Sequence, residues 1–393
     1  MIDDHIIDFI QDHLTGDPDL LVLQKDKYPG IPLGFVATQV SIRQKLKGKF
    51  PFLQSQTRFL FPSKLSYEQS SSEATAAYKV SFFSGKQMAD LTGGLGIDSY
   101  FFSKNFSEVN YVERDGQIAE YAVHNFQILE SPQIRVHNQA AEEFLDLPGH
   151  YDLIYLDPAR RDLQSRKVFR IEDCEPNLLE LNEKLLEKAG QVLWKASPLL
   201  DIKSVLRQII GIYRVDVVSV GNEVKELLFH MSSGQHKAPV INCVDLHNES
   251  SFEFTFEEEE NEESEFSVPL QYIYEPASSI LKAGAFRSIG KKFGLYKLAV
   301  NSHLYTSEQK LNDFPGRTFR VLDTLKPNAK EVRKAVPGLK ANLSCRNFPM
   351  KVEDLKKKLR LKDGGDLYLF ATQDVNRNKI LILSEKTQDS PVL

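Results

Sequence analysis

The 393-residue chain has only three cysteines, Cys174, Cys243 and Cys345, far apart and odd in number. That excludes a disulfide framework and a cysteine-built zinc site, and makes a reducing cytoplasm the expected setting. No metal is expected. No apolar run reaches membrane length, and Met1-Ile2-Asp3 opens no basic-then-apolar leader, so no membrane partner is expected. There are no internal repeats. A length of 393 residues allows two to four domains, because single cores stop growing near ~250–300 residues.

An excess of basic charge is also missing, since the formal net charge is −5. Its distribution is more telling than its sum. Residues 249–265 hold nine Glu and no Lys or Arg, whereas residues 326–362 hold twelve Lys and Arg against three acids. The first stretch reads as an insertion or exposed hairpin. The second is the footprint of a phosphate-contacting module, or else the solvated face of a helix in KVEDLKKKLRLK.

What is present is a pair of strand-to-turn junctions. KQMADLTGGLGID brings an apolar strand to Asp90, then Thr92, Gly93, Gly94 and Gly96, then a helical run from Ile97 to Phe106. A second strand, Val109 to Val112, delivers Glu113. A third, Leu153 to Leu156, delivers Asp157, Pro158, Ala159 and Arg160. Open α/β sheets bind ligands beyond the carboxyl ends of their strands. A glycine-rich turn lets a ligand approach the backbone, and Glu113 is placed to accept hydrogen bonds from two ribose hydroxyls. That suits a dinucleotide or an adenosyl ligand; a purely structural glycine turn is the alternative. The dinucleotide fingerprint is incomplete, with Ser99 where a third glycine belongs. Asp90 would repel a pyrophosphate but would accept a hydrogen bond from an ammonium. S-adenosyl-L-methionine carries an ammonium and no phosphate, so the spacing favours the methyl donor.

With these residues in hand, the chain resembles the class I S-adenosylmethionine-dependent methyltransferases of the bacterial family that ends in a THUMP-like domain. The marks are DLTGGLGID (90–98), LDPARRD (156–162), KASPLLD (195–201), NEVKELL (222–228), EPASSILKAGAF (275–286), SHLYTS (302–307), FPGR (314–317) and RNFPMKV (346–352). The resemblance implies an α/β fold: a Rossmann-like core with a seven-stranded mixed sheet, a small ferredoxin-like module and a THUMP-like RNA-binding module. It implies that Asp90, Gly94 and Gly96 line the donor pocket with Glu113 on the ribose. The acid that often follows strand three and bonds the adenine amino group is replaced by Gln139, whose amide oxygen can still accept that bond.

The expected domains are an N-terminal helical region (1–65), the methyltransferase core (66–235), a ferredoxin-like α+β unit (236–325) and a THUMP-like unit (326–393). Ile6, Ile7, Ile10 and Leu14 keep helical spacing, Asp17-Pro18 is a cap followed by proline at the first helical position, and Phe35 to Lys47 is helical. Ser72 reads as a helix cap in the segment 66–79, which also holds Ser70, Ser71, Thr75, Tyr78 and Lys79; the functional reading is a lid over the donor. A hairpin is expected around Gly221-Asn222, a helix from Ser278 to Phe293, and a strand from Tyr296 to Asn301.

Methyl transfer from a sulfonium is an in-line displacement, so the protein mainly positions two groups and handles one proton. Asp157-Pro158-Ala159-Arg160 resembles the Asp/Asn-Pro-Pro-aromatic tetrapeptide of nitrogen-methylating enzymes, with Arg160 in place of the aromatic. It is also close to the DPPR of 5-methyluridine enzymes, but KASP holds no cysteine where their nucleophile lies. Cys174 reads as packed rather than nucleophilic. Arg160 and Arg161 with Asp162 and Glu172 are alternatively a loop clamp. Lys195, Asp201, Glu223, Lys225 and Glu226 are weaker candidates. The expected activity is methylation of a base of structured RNA, with Asp157 receiving the proton or orienting the nucleophile. The alternatives are a non-catalytic RNA-binding protein that keeps the fold, and a methyltransferase of a non-RNA substrate.

Overall fold

The structure is a computed structural model and describes residues 3–160 and 171–387. Two compact units emerge: Met1–Tyr213 with Leu228–His236, and Arg214–Leu227 with Lys237–Leu393.

The first unit begins with the helices Asp4–Asp12, Pro18–Val22 and Leu33–Arg43. Asp17 accepts a hydrogen bond from Asp19 N at 2.9 Å, which makes it the cap expected before Pro18. Ile6, Ile10, Leu21, Leu33, Val36 and Val40 form the core of this bundle. The helix expected to reach Lys47 ends at Arg43, and a separate turn of helix follows at Leu46–Lys49.

Strands β1 (Gly85–Asp90), β2 (Phe106–Val112), β3 (Ile134–His137), β4 (Tyr151–Leu156) and β5 (Ala189–Ala196) follow. They lie parallel in the order β3-β2-β1-β4-β5. β1 is therefore central, and helices occur between successive strands, as parallel strands require. The helix expected to reach Phe106 stops at Phe102, because Phe106 already begins β2.

Strands β6 (Ile212–Val220) and β7 (Glu223–Met231) flank the expected turn, where Gly221 and Asn222 have φ of +58° and +67°. Such values suit a two-residue hairpin. Seven strands were expected to complete the sheet by residue 235. Two more follow, β8 (Val240–Asp245), parallel to β6, and β9 (Ser250–Phe254), antiparallel to β8.

In the second unit the acidic stretch is not a plain exposed insertion. It contains β9 and a helix, Phe256–Asn261, capped by Thr255. Glu259 is buried and accepts hydrogen bonds from the backbone N–H groups of Phe286, Arg287 and Ser288 and from Ser288 Oγ. This carboxylate satisfies the free donors that open the helix Ser288–Phe293. The single helix expected from Ser278 to Phe293 is two, because Gly284 (φ +83°) ends the first at Ala283. The strand expected over 296–301 is only Tyr296–Lys297.

The remaining strands are β10 (Tyr272–Pro276), β11 (Tyr305–Ser307), β12 (Gly316–Leu325), β13 (Asn342–Cys345), β14 (Leu367–Gln373) and β15 (Lys379–Lys386). Their order is β11-β10-β12-β15-β14-β13, with Tyr296–Lys297 beyond β11. The ten-residue β12 joins what were expected to be separate modules. Gly316 to Arg320 pair with β10, and Phe319 to Leu325 pair with β15 across a bulge between Val321 and Asp323.

Candidate active site

Register aligns the carboxyl ends of β1, β2 and β4: Asp90 is paired with Tyr111 on one side and with Tyr155 on the other. The residues just beyond these ends line a cleft of about 390 Å³, a volume suited to a nucleoside-sized ligand. Asp90, Thr92, Gly93, Gly94, Gly96, Glu113 and Asp157 all line it.

The turn between β1 and the helix Ile97–Phe102 is tied down on both sides. Gly93 N donates to Val112 O at 2.9 Å, and Tyr111 Oη donates to Gly94 O at 2.6 Å. At Gly93 a Cβ would fall 2.1 Å from the Tyr111 ring, so glycine is needed for this close approach. Gly96 has φ +80°, and a Cβ there would meet Phe126 at 2.7 Å. On the other side, Thr92 Oγ1 accepts from Asp157 N at 2.6 Å, joining the glycine turn to the Asp-Pro-Ala-Arg loop.

Glu113 accepts from Gly94 N at 3.0 Å and from Asp115 N at 2.9 Å, one bond per oxygen. A carboxylate offers about four acceptor sites, so two remain for a diol. Asp90 is buried and accepts from Thr92 N and Ser99 Oγ. Burial pushes its carboxyl up to about 7, against the opposing pull of those two bonds.

The site also draws in residues that the sequence analysis named without this role: Ser71 and Lys79 in the segment 66–79, Asp98 at the end of DLTGGLGID, and Lys195 as a weaker candidate. Lys79 is fully buried, with Nζ 3.2 Å from Asp98 Oδ1 and 2.9 Å from Ser71 Oγ. Asp98 Oδ2 accepts from Ser71 Oγ at 2.8 Å and from Tyr155 Oη at 2.7 Å. Burial opposes the charge of Asp98, but Lys79 and Lys195, then the two hydroxyls, bring it below the ordinary carboxylate range. Lys195, nearly buried at the end of β5, pairs with Asp157 Oδ2. Ser72 is the expected cap of the helix Glu73–Val80, while its neighbours Ser70 and Ser71 line the cleft. The available signal was Lys79 itself, a lysine on the helix face that also carries Ala76 and Val80. Glu175 and Pro176 also line the cleft, and Glu175 pairs with Arg114 at 2.8 Å.

Three expected residues stand differently. Gln139 does not line the cleft, where Ala140 to Glu142 do, and its Nε2 is buried without a hydrogen-bond partner. Pro158 is not among the lining residues either. The backbone of Arg160 pairs with Cys174; its side chain, and Arg161 and Asp162, lie outside the described residues, and with them the loop clamp to Glu172. Cys174 is buried, which pushes its thiol up to about 11, as suits a packed group. Asp201 caps the helix Ile202–Gln208 through Ser204 N at 2.6 Å. Glu223 and Lys225 form an exposed pair, and Glu226 is buried.

Comparison with known proteins identifies the family of the chain. A crystal structure from Porphyromonas gingivalis W83, described as a candidate methyltransferase, is 36% identical over 98% of each chain, with a TM-score of 0.89. Residues 272–315 match a family described as a ferredoxin-like domain, and residues 316–386 one described as THUMP domain-like. The chain belongs to the class I S-adenosylmethionine-dependent methyltransferase family that carries a C-terminal THUMP-like domain. Slighter similarities reach a candidate methyltransferase, YhhF, of Escherichia coli and an rRNA methylase of Streptococcus thermophilus. The former is 17% identical over 44% of this chain and 89% of that one, and the latter 14% over 41% and 95%, both with a TM-score of 0.31. No curated protein matches the chain. Among the described residues, no helix is long and apolar enough to cross a membrane.

Proposed function

We propose that the protein transfers a methyl group from S-adenosylmethionine to a base of structured RNA. The observation that carries this reading is the single cleft shared by the glycine turn, Glu113 and the Asp157 loop. The donor set fits the methyl donor on its own chemistry: a buried carboxylate at Asp90 for an ammonium, spare acceptor sites on Glu113 for a ribose, and no lysine or arginine among the turn residues 90–98 to receive a pyrophosphate. When bound, the donor supplies an electrophilic methyl on a sulfonium. The protein's own residues then have three tasks. Asp90 and the turn hold the methionyl end, and Glu113 holds the ribose. Asp157, with one oxygen committed to Lys195, accepts a hydrogen bond from the target group and orients its lone pair toward the methyl. Calorimetry with the donor, combined with a methylation assay on total RNA, tests the reading. Donor binding without transfer to any acceptor would favour the non-catalytic alternative.

Glu113→Ala should weaken donor binding by roughly 1.5–3 kcal/mol, the usual value of hydrogen bonds to a charged group. The loss includes the release of Gly94 N and Asp115 N, so Glu113→Gln should recover part of it. Unchanged dissociation constants would remove the ribose assignment.

Donor affinity should also depend on pH through Asp90. The ammonium needs the ionised carboxylate, whose titration lies at about 7. Lowering the pH from 7 to 6 reduces the ionised fraction from about one half to about one eleventh, so affinity should fall about fivefold. Asp90→Asn should bind weakly at both pH values and lose the dependence. A flat profile in the unsubstituted protein would place the ammonium elsewhere.

RNA affinity is assigned to the basic C-terminal region. Arg346 is not available as a simple phosphate ligand, because it and Arg317 both pair with the buried Glu275. Phe348 packs against the core of the region. Deleting residues 326–393 would also strip β15 from β12. Exposed lysines are the better probes: Lys351, Lys357 and Lys358. Replacing all three with alanine should weaken RNA binding and reduce the log–log salt slope by about 0.7–0.9 for each lost phosphate contact. An equal slope would mean that these lysines form only a solvated face.

A further inference from the structure

In the motif RNFPMKV, Arg346 is tied to Glu275 and Phe348 packs on the core, but the loop they anchor has a second feature. The parallel strands β13 and β14 end at Cys345 and Gln373, and residues at and beyond those ends line an open cavity of about 540 Å³, roomy enough for a nucleotide. Its floor is apolar, since Cys345, Phe348 and Met350 rest on the core of the region. Asn347 stands exposed between two of these residues, and Gln373 lines the cavity from β14. Neither side-chain amide makes a hydrogen bond among the described residues. Asn347 also has φ +54°, a left-handed conformation that glycine adopts freely and that strains other residues. Residues held in such conformations cluster at ligand-binding sites. The only charged residues in the lining are Lys351 and Glu353, one of each sign. Residues 326–362 as a whole hold twelve Lys and Arg against three acids, so the cavity is a neutral spot in a basic region.

We propose that this cavity takes an unpaired base of the RNA, with Asn347 and Gln373 reading its edge. A base is a flat, uncharged ring whose rim both donates and accepts hydrogen bonds. The apolar floor covers its face, and a side-chain amide, with two N–H donors and a carbonyl acceptor, matches its rim. A phosphate would find no net positive charge in this lining, and a purely apolar ligand would leave both amides unsatisfied. The inference rests on the RNA reading above and deepens it. The exposed lysines give affinity for any RNA through phosphates, whereas the cavity adds a preference for RNA with unpaired nucleotides. It also explains why asparagine occupies a position where glycine would be free of strain.

The test uses the full chain and two RNA probes, a duplex with single-stranded ends and the same duplex with blunt ends. The variants are Asn347→Gly, which removes one amide and relieves the strained backbone, and Gln373→Met, which keeps the side-chain length. The unsubstituted protein should bind the duplex with single-stranded ends more tightly than the blunt one. Each variant should weaken binding to the former about three- to tenfold, the worth of one hydrogen bond, and leave the blunt duplex within about twofold. The salt slope should not change in either variant, because no phosphate contact is lost. Asn347→Gly should also melt no lower than the unsubstituted protein, so its loss of affinity cannot be a loss of folding. Unchanged affinity for the duplex with single-stranded ends in both variants would overturn the proposal and leave the RNA reading standing on its lysines. An equal loss for both probes would overturn it too, since the amides would then support the basic surface rather than a base. If the unsubstituted protein binds neither probe at low salt, the RNA reading fails and the base site fails with it.

Discussion

Asp157→Ala is expected to lower methyl transfer by at least about 10²-fold, the scale on which a lost proton or orienting contact acts. Donor affinity should change by no more than a few-fold. The side chain of Asp157 contacts Lys195, whereas the link to the donor turn uses its backbone N–H, donated to Thr92 Oγ1 at 2.6 Å. Alanine keeps that N–H, so the glycine turn remains tied to the end of β4. Asp157→Asn should retain more activity than alanine, because an amide oxygen still accepts a hydrogen bond. Isothermal calorimetry and a labelled-methyl assay separate the two quantities. A collapse of donor binding would move Asp157 into the cofactor pocket and remove its role at the acceptor.

Gly93→Ala is the second large effect, and it acts through packing rather than chemistry. The new methyl group would lie 2.1 Å from the Tyr111 ring, which is fully buried and flanked by Phe126. Overpacking of this kind costs about 1–3 kcal/mol. The damage also reaches function, since Tyr111 Oη holds Gly94 O at 2.6 Å. Displacing the ring loosens the turn that faces the donor, so donor affinity should fall more than about tenfold, or 1.4 kcal/mol. Gly94→Ala provides the contrast. Its Cβ would meet nothing nearer than Thr92 O at 3.8 Å, and only its φ of +53° is strained, at about 1–2 kcal/mol. Stability should therefore fall more for Gly93→Ala than for Gly94→Ala. The opposite order in thermal unfolding would mean that the Tyr111 contact is not what requires glycine.

The parts of the cleft that the sequence disclosed are those set by local chain geometry. Asp90, the glycines, Glu113 and Asp157 follow strand ends, and a parallel sheet brings strand ends together whatever the details of packing. Lys79 and Asp98 were not legible as a pair. They are nineteen residues apart, on different helices, and their meeting depends on how those helices lie over the sheet. Arg346 illustrates the opposite error, in which a cation in a basic segment suggests a phosphate contact. Its partner, Glu275, is 71 residues away on β10, within what the sequence analysis expected to be a separate module. The acidic stretch was misread for a related reason. Eight of its nine glutamates fit a solvated surface pattern, but Glu259 turns inward to cap a helix that begins 29 residues later.

Base methylation of RNA is the central claim, and one measurement tests it most directly. Total RNA from cells with and without the gene is digested to nucleosides and compared by mass spectrometry. The account predicts one methylated nucleoside that disappears without the gene, returns with the unsubstituted protein, and does not return with Asp157→Ala. Identical nucleoside profiles in the two cell lines would contradict it.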